Sequence, residues 1–281
     1  MTAKKKQVRL TVCTVIAAVV LTALIGLVVY LELQPPDTPV PGTPTDTTTE
    51  ATTLPPPPEN VFDPADFVYD EQGYLTCTAG PYERGIDVSA YQGKIDWKKV
   101  ADSGVTFAII RVAGRGYGST GNLYDDKLAQ ENYKGATQAG LKVGAYFFSQ
   151  AISPEEAVEE AEYLLEKTAD WELDMPLVYD WEYISEEART ANVDQQTLTD
   201  CMIAFCDRIK EAGKTPMIYF NPNHAKRMFH IEQVVDYDFW LAMYTDWMTY
   251  PYKFHMWQYT NEGSVPGVSG QVDINLLFSY E

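Results

Sequence analysis

The sequence has few of the residues that bind metals or nucleic acids. Its 281 residues include three histidines and four cysteines, and 21 lysines and arginines stand against 40 aspartates and glutamates, which gives a formal net charge of -19. Binding to a phosphate backbone depends on clustered lysine and arginine, so the composition excludes a nucleic-acid-binding role. The histidines show no HExxH or other metal spacing, and we expect neither a metal nor another cofactor.

The cysteines form neither a disulfide framework nor a zinc site. Cys13 lies in an apolar run, while Cys201 and Cys206 are five residues apart in a predicted helix, on different sides of it. An intrahelical disulfide is therefore not expected. Cys77 could pair with either of the latter two, and the spacing does not decide this.

The N-terminal part of the sequence predicts a membrane anchor. Residues 1–9 are basic, and residues 10–33 form an almost uninterrupted apolar run. About 20 apolar residues span a bilayer, and basic residues before such a run stay in the cytoplasm. We therefore predict a cytoplasmic tail, an uncleaved signal anchor and a single-pass protein of the cell membrane, with the rest of the chain outside. The alternative is cleavage as a signal peptide and secretion, although no small-residue cleavage site follows the run.

Two further segments precede the main domain. Residues 34–60 are rich in proline and threonine, which predicts a semi-extended linker that cannot form a core. Residues 61–83 form a short extension in which FVYDEQGYLTC alternates around a turn, as in a β-hairpin. The sequence assigns this extension no role.

Residues 84–281 alternate helical patterns with short, continuously apolar strands, which is typical of an α/β fold with a buried parallel sheet. About five β/α units are followed by three strands joined through loops. This predicts a TIM-like barrel with an irregular second half, built from GIDVS, FAIIRV, KVGAYFF, PLVYDWE, PMIYF, FWLAMY, HMWQY and VDINLL. An open doubly wound sheet is the alternative, but no glycine-rich phosphate-binding motif follows the first strand.

The segment PLVYDWEY contains the most informative pair of residues. Asp180 and Glu182 end an apolar strand two residues apart, so both side chains point to the same face of an extended chain. Neighbouring carboxyl groups raise each other's cost of ionisation, which makes the pair a candidate for acid–base chemistry on a bond held between them. An isolated D-x-E is more often a pair of solvated acids in a loop. The surrounding sequence therefore has to distinguish a catalytic pair from two solvated acids.

Barrel enzymes place their reacting groups at the C-terminal ends of the strands. Asp87 ends the first predicted strand, and Asp273 belongs to the last one. Arg111 is expected to organise these acids, although Asp273 could merely pair with it. Carboxylates among aromatic rings suit a sugar, whose apolar faces stack on rings and whose hydroxyls need acceptors. The predicted substrate contacts are Tyr91, Arg111, Tyr146, Phe148, Tyr219, Trp240, Tyr244, Gln258 and Asn275.

Five separate segments occur in the order of a known family. They are GIDVSAYQGKIDW at 85–97, FAIIRVAG at 107–114, VGAYFFS at 143–149, the D-W-E triplet, and WQYTNEGSVPGVSGQVDINLL at 257–277. Over about residues 84–278 the chain thus resembles glycoside hydrolase family 25, the Chalaropsis-type lysozymes. The resemblance implies an N-acetylmuramidase that hydrolyses the β-1,4 bond between N-acetylmuramic acid and N-acetylglucosamine, with peptidoglycan glycan strands as its partner.

The resemblance also implies roles for the four acids as catalytic residues. By position, Glu182 resembles the family's general acid. Asp180 resembles the residue proposed either to act as nucleophile or to orient the 2-acetamido group of the substrate, and we favour the substrate-assisted route. Asp87 and Asp273 resemble the remaining acids of the cleft. Phe147 stands where many members have histidine, a difference that concerns a sugar contact and not the acid pair.

Three other functions compete with this interpretation. A chitinase-like hydrolase would have further acids upstream of the D-x-E, where this chain has Met175 and Val178. A non-catalytic wall-binding module would not need all four acids, and an amidase or peptidase would need a Cys/His or zinc constellation that is not visible. With an anchor and a linker, we expect a monomeric catalytic domain that remodels the wall of its own cell.

Overall fold

The computed structural model of the protein describes residues 54–245 and 247–279. The predicted tail, the predicted anchor and residues 34–53 of the predicted linker lie outside these ranges. Within the ranges, no helix is long and apolar enough to cross a membrane.

The first described elements are two short strands, β1 (Phe67–Tyr69) and β2 (Leu75–Cys77), which pair antiparallel. Phe67 packs edge-to-face on Trp257 with ring centroids 4.9 Å apart, and the Leu75 N–H donates to the Tyr259 hydroxyl over 3.4 Å. Trp257 and Tyr259 lie on the outer face of a barrel strand over which no helix packs. This hairpin therefore covers apolar surface that a helix would cover in a regular β/α unit.

Eight strands close a barrel, and a ninth short strand, β5, pairs with the end of β4. The chain order is β3 (Tyr82–Val88), β4 (Phe107–Arg115), β5 (Leu123–Asp125), β6 (Lys142–Ser149), β7 (Leu177–Trp181), β8 (Pro216–Phe220), β9 (Asp238–Ala242), β10 (Met256–Gly263) and β11 (Val272–Phe278). Strands β3, β4, β6, β7, β8, β9 and β10 run parallel, and β11 is antiparallel to both β10 and β3. The predicted irregular α/β barrel of eight strands is confirmed.

Five helices follow the first five barrel strands, and their ends agree with local sequence signals. They are α1 (Trp97–Asp102), α2 (Ala129–Gln138), α3 (Pro154–Lys167), α4 (Gln195–Glu211) and the short α5 (Pro222–Arg227). Side chains of Asp96, Ser153, Asp194 and Asn221 accept hydrogen bonds from N–H groups of the first turns of α1, α3, α4 and α5. Among the described residues, no helix lies between β9 and β10 or between β10 and β11. This part of the barrel is the irregular second half that the sequence predicts.

The direction of β11 corrects one expectation. The rule that barrel enzymes place their reacting groups at the C-terminal ends of strands predicts Asp273 and Asn275 at that end of the last strand. However, β11 runs antiparallel, so its N-terminal end lies at the rim where the parallel strands end. The short connection between β10 and β11 turns through Gly267 and Gly270, both with positive φ. Connections of this length join antiparallel strands, whereas a parallel pair needs a long crossover.

Side chains alternate between the inside of the barrel and a layer beneath the helices. In β4, Phe107 and Ile109 point inward, while Ala108 and Ile110 belong to the outer layer. Both faces are buried, which is why the strands read as continuous apolar runs. The inner cluster comprises Phe107, Ile109, Met175, Val178, Met217, Trp240 and Met256.

The next inward position toward the rim is polar on several strands. Arg111 follows Ile109, Asp180 follows Val178, Tyr219 follows Met217 and Gln258 follows Met256, each two residues further along its strand. The same period-two alternation that fills the barrel therefore sends polar groups into its mouth.

The cysteines that the structure describes are not paired. Cys77, Cys201 and Cys206 are free and buried, and burial raises the pKa of each thiol. The pairing that the sequence left open is therefore not formed.

Candidate active site

A cleft of about 470 Å³ opens at the C-terminal ends of the parallel strands. All four predicted acids line it: Asp87, Asp180, Glu182 and Asp273. Eight of the nine predicted substrate contacts line it as well, namely Tyr91, Arg111, Tyr146, Phe148, Tyr219, Trp240, Tyr244 and Gln258. Residues spread over almost the whole domain thus meet in one groove.

The acid pair differs in depth. Asp180 is the fourth residue of β7 and is 5% exposed, and its Oδ1 has no hydrogen-bond partner. Glu182 follows the strand and is half-buried. Burial raises the pKa of both carboxyl groups, and the charge of Glu182 raises the pKa of Asp180 further, while Arg111 acts in the opposite direction. The pair is therefore arranged to retain a proton when ordinary carboxyl groups have lost theirs.

Asp87 is held by two amide groups. Gln258 Nε2 and Asn275 Nδ2 each donate to Asp87 Oδ2 over 2.8 Å. Burial raises the pKa of Asp87 to about 6, although the two amide donors act to lower it. The carboxyl group is thus fixed in place, half-ionised near pH 6 and mostly ionised at neutral pH.

Aromatic side chains fix the orientation of these amides. The hydroxyls of Tyr219 and Tyr244 donate to Gln258 Oε1 over 2.9 and 2.8 Å, and Trp240 Nε1 donates to Asn275 Oδ1 over 2.9 Å. With the carbonyl oxygens occupied, the NH₂ groups must face Asp87. Three predicted sugar contacts therefore also support an acid.

Asn275 is the one predicted contact that does not reach the cleft. It is fully buried and lies behind Asp87, between that carboxyl group and Trp240. Because β11 is antiparallel, position 275 is deeper in the barrel than position 273. The structure therefore makes Asn275 a positioning residue for Asp87.

Asp273 lies directly opposite Asp87 in the antiparallel register of β11 and β3. Burial, together with the charges of Asp87 and Glu182, raises the pKa of Asp273 to about 8. The expected alternative, an ion pair of Asp273 with Arg111, is not formed, because Arg111 binds a different carboxylate.

That carboxylate belongs to Asp126, a residue that sequence reasoning missed. Arg111 Nε and one terminal nitrogen donate to Asp126 Oδ2 over 3.0 and 2.9 Å. Asp126, whose side chain is fully buried, also accepts the N–H groups of Ala90 and Leu128 over 2.9 Å each. The Arg111 guanidinium lies over the ring of Tyr91, 5.2 Å from its centroid. Asp126 thus fixes the arginine that faces the acids.

The rim contains further side chains that the sequence did not single out. Tyr117, Tyr124, Ile184 and Asn261 line the cleft beside the predicted contacts. Tyr117 is 58% exposed and belongs to the glycine-rich connection between β4 and β5. Exposed aromatic rings at the mouth of the cleft can stack on a sugar that extends beyond it.

Phe147, by contrast, is outside the cleft. It is fully buried in the outer layer, with its ring centroid 6.4 Å from that of Tyr163 on α3. Residue 147 alternates with the inward Tyr146 and Phe148. The departure from the family pattern at this position is therefore a packing difference and does not alter the cleft of this protein.

Among residues 54–245 and 247–279, no group of three or more His, Cys, Asp and Glu side chains is arranged to hold a metal ion. The polar groups of the cleft are carboxyls, amides, phenols and one guanidinium. These groups can bind hydroxyl and acetamido groups and can transfer protons.

An irregular α/β barrel whose mouth combines buried carboxyl groups with aromatic rings defines a protein of the glycoside hydrolase class. Residues 86–268, more than half of the chain, match the family model of glycosyl hydrolases family 25, and the chain belongs to this family. The resemblance found in the separate sequence motifs is thereby confirmed.

Individual relatives agree with this assignment. The chain is 28% identical over 255 residues to Lysozyme M1 of Streptomyces globisporus, which covers 81% of this chain and 83% of that protein. It is 28% identical over 193 residues to the autolytic lysozyme of Clostridium acetobutylicum, which covers 68% of this chain and 55% of that protein. The chain thus spans little more than half of the latter relative.

A solved structure shares the fold. The modular autolysin LytC of Streptococcus pneumoniae, crystallised with a synthetic peptidoglycan ligand, superposes with a TM-score of 0.63 at 23% identity. The match covers 79% of this chain and 58% of LytC. At this identity the similarity concerns the barrel architecture.

Proposed function

We propose that the protein is a lysozyme that cleaves the β-1,4 bond between N-acetylmuramic acid and N-acetylglucosamine in peptidoglycan. The observation that carries the proposal is the meeting of the D-x-E pair with Asp87 and Asp273 in one aromatic cleft, in a chain of glycosyl hydrolases family 25. Two relatives are named lysozymes, and LytC was crystallised with a peptidoglycan ligand.

Glu182 supplies the proton in this mechanism. Leaving-group departure needs an acid that is still protonated near neutral pH, and burial raises the pKa of Glu182. As the glycosidic bond breaks, Glu182 gives its proton to the leaving oxygen. It then takes a proton from the water that attacks the anomeric carbon in the second step, which restores the acid.

Asp180 supports the substrate's own nucleophile in our proposal. Its Oδ1 is buried and unpartnered, and such an oxygen is costly unless a ligand donates to it. The N–H of the 2-acetamido group is a donor of the right kind. Its carbonyl oxygen attacks the anomeric carbon. With the proton of the acid pair on Glu182, Asp180 is the carboxylate, a state that Arg111 favours, and it stabilises the positive charge that develops on the acetamido group. Asp87, mostly ionised at neutral pH, adds negative potential to the cleft, whereas Asp273, with its pKa raised to about 8, is protonated at neutral pH and can donate a hydrogen bond to the substrate.

The products of digestion test the reaction. We expect peptidoglycan treated with the full chain, then reduced and analysed by mass spectrometry, to carry the new reducing end on N-acetylmuramic acid. A new end on N-acetylglucosamine, release of stem peptide alone, or binding without release would contradict the proposal and indicate respectively a glucosaminidase, an amidase or a binding module. Initial inversion of the anomeric centre would exclude the substrate-assisted and the nucleophile route alike.

We further propose that the domain acts on the wall of the producing cell from a membrane anchor. The support is the apolar run of residues 10–33 after a basic tail, followed by a linker rich in proline and threonine. The proposal predicts that the mature protein sediments with membranes and retains its N-terminal residues. A free protein that begins near residue 34 in peptide sequencing would contradict it.

A further inference from the structure

The backbone at Glu182 is held by a side chain that does not line the cleft. Gln150 follows β6 and is fully buried. Its Nε2 donates to the carbonyl oxygens of Ser149 over 2.9 Å and of Glu182 over 3.0 Å, while its Oε1 accepts the Thr190 hydroxyl over 2.9 Å. One amide group therefore contacts both residue 182 and residue 190, the two ends of the segment between them.

This contact replaces sheet hydrogen bonding at the position where the acid lies. The pairing of β7 with β6 ends at Trp181, and its pairing with β8 ends at Asp180. Glu182 thus lies one residue beyond the pairing with β6 and two residues beyond the pairing with β8. The side chain of Gln150 therefore supplies the Glu182 carbonyl oxygen with a hydrogen bond at a position where the strand pairing has ended.

The backbone of Gln150 is itself fixed. Its N–H donates to Glu160 Oε1 over 3.3 Å, and its carbonyl accepts from a terminal nitrogen of Arg189 over 3.0 Å. Glu160 on α3 is fully buried and pairs with Arg115 Nε over 2.7 Å, and it accepts the Ser149 hydroxyl over 2.5 Å. A buried ion pair beneath the helices therefore anchors the residue that holds the acid.

Arg189 connects Gln150 to the loop that contains Tyr117. Its guanidinium binds both carboxylate oxygens of Glu156 over 2.8 and 2.7 Å, and its N–H donates to the Tyr117 carbonyl over 2.9 Å. Tyr117, Ile184 and Glu182 all line the cleft. Two parts of the wall, at Tyr117 and at Glu182, thus share one hydrogen-bonded support.

We propose that Gln150 is a positioning residue that fixes the main chain of Glu182 and thereby directs its carboxyl group toward the leaving oxygen. The inference rests on the proposed role of Glu182 as general acid. A misplacement of a reacting group by about 1 Å can cost on the order of 100-fold in rate, so a loss of this support has a large effect even though Gln150 does not touch the substrate.

Gln150→Met tests the inference, because methionine has a similar length and no amide. We expect kcat of the full chain on peptidoglycan to fall about 10- to 100-fold, with KM changed by less than about threefold. A muramyl glycoside with a nitrophenolate leaving group needs no proton from Glu182 in the first step, so the rate of its nitrophenolate burst should fall by less than about threefold. General damage to the fold would slow both substrates equally.

Gln130→Met on α2 is the matched control. It is the same substitution and removes the hydrogen bond that Gln130 Oε1 accepts from Trp171 Nε1, outside the cleft, and we expect it to leave both rates unchanged. In addition, Glu182→Gln combined with Gln150→Met should be no slower on peptidoglycan than Glu182→Gln alone, because the support then has no acid to position.

Thr190→Val gives a second, milder test if Gln150→Met does not fold. It removes the hydroxyl that donates to Gln150 Oε1. We expect kcat to fall about threefold on peptidoglycan and not on the nitrophenolate substrate. Thr168 is also buried, and Thr168→Val should leave kcat unchanged. A Gln150→Met or Thr190→Val protein that is folded and hydrolyses peptidoglycan at the native rate, or that slows both substrates equally, overturns the inference. Native activity of Glu182→Gln would instead refute the proposed role of Glu182 as general acid, and the absence of muramidase products from the native chain would refute the proposed function.

Discussion

Glu182→Gln is expected to lower kcat on peptidoglycan by about 10³-fold or more, with little change in KM. Glutamine keeps the size and the hydrogen-bonding oxygen of the side chain but carries no proton that it can transfer to the leaving oxygen. The rate of appearance of reducing ends in purified cell walls measures the effect. A substrate with a nitrophenolate leaving group should be affected much less in its first step, which would assign the lost function to proton donation.

Glu186→Gln is the matched control for this prediction. Glu186 belongs to the same connection after β7 but is exposed and does not line the cleft, so the same substitution there should leave the rate unchanged. If Glu182→Gln lysed walls as fast as the native chain, the assignment of the general acid would be wrong. Loss of lysis in both variants would point to the integrity of the connection and not to a proton donor.

Much of this cleft was predictable because the barrel strands are short and regular. Once the ends of β4 and β7 are recognised, the period of two places Arg111 and Asp180 inside the barrel and at the same rim. Local sequence signals, such as the Ser153 cap before a helix and a glycine after it, indicate where the helix of each β/α unit begins and ends. The placement of the inward acids on parallel strands therefore follows from local sequence alone.

The remaining features depend on contacts between distant residues. The partner of Arg111 is Asp126, which directly follows the short strand β5, and that strand is recognisable only by its pairing with β4. Asn275 lies behind Asp87 because β11 is antiparallel, a property that depends on the turn before it and not on the strand itself. No sequence motif marks Gln150, because its role depends on the path of the chain after β7, which brings residues 182 and 190 to its amide group.

Asp273→Asn is expected to make the protein more stable at neutral and alkaline pH and not in acid. Burial and the charges of Asp87 and Glu182 raise the pKa of Asp273 from 3.8 to about 8 in the folded protein. Below about pH 4 the carboxyl group is protonated in both states and costs nothing. Between pH 4 and 8 the unfolded chain has lost this proton while the folded protein keeps it, so the free energy of unfolding falls as the pH rises through this window.

Asparagine does not titrate, so this variant avoids the decline. A shift of one pKa unit corresponds to about 1.4 kcal/mol. The effect on the free energy of unfolding is smaller than the full shift implies, because water reaches part of the side chain and because Asp87 and Glu182 share the repulsion. We expect the free energy of unfolding of Asp273→Asn to be about 2–3 kcal/mol higher at pH 8. Denaturant unfolding at pH 4 and pH 8 measures it, with exposed Asp170→Asn as the control of equal charge change. A gain that is the same at both pH values, or one that Asp170→Asn reproduces, would show that Asp273 does not keep its proton in the fold. A gain confined to high pH would mean that the cluster of acids lowers the stability of the native protein.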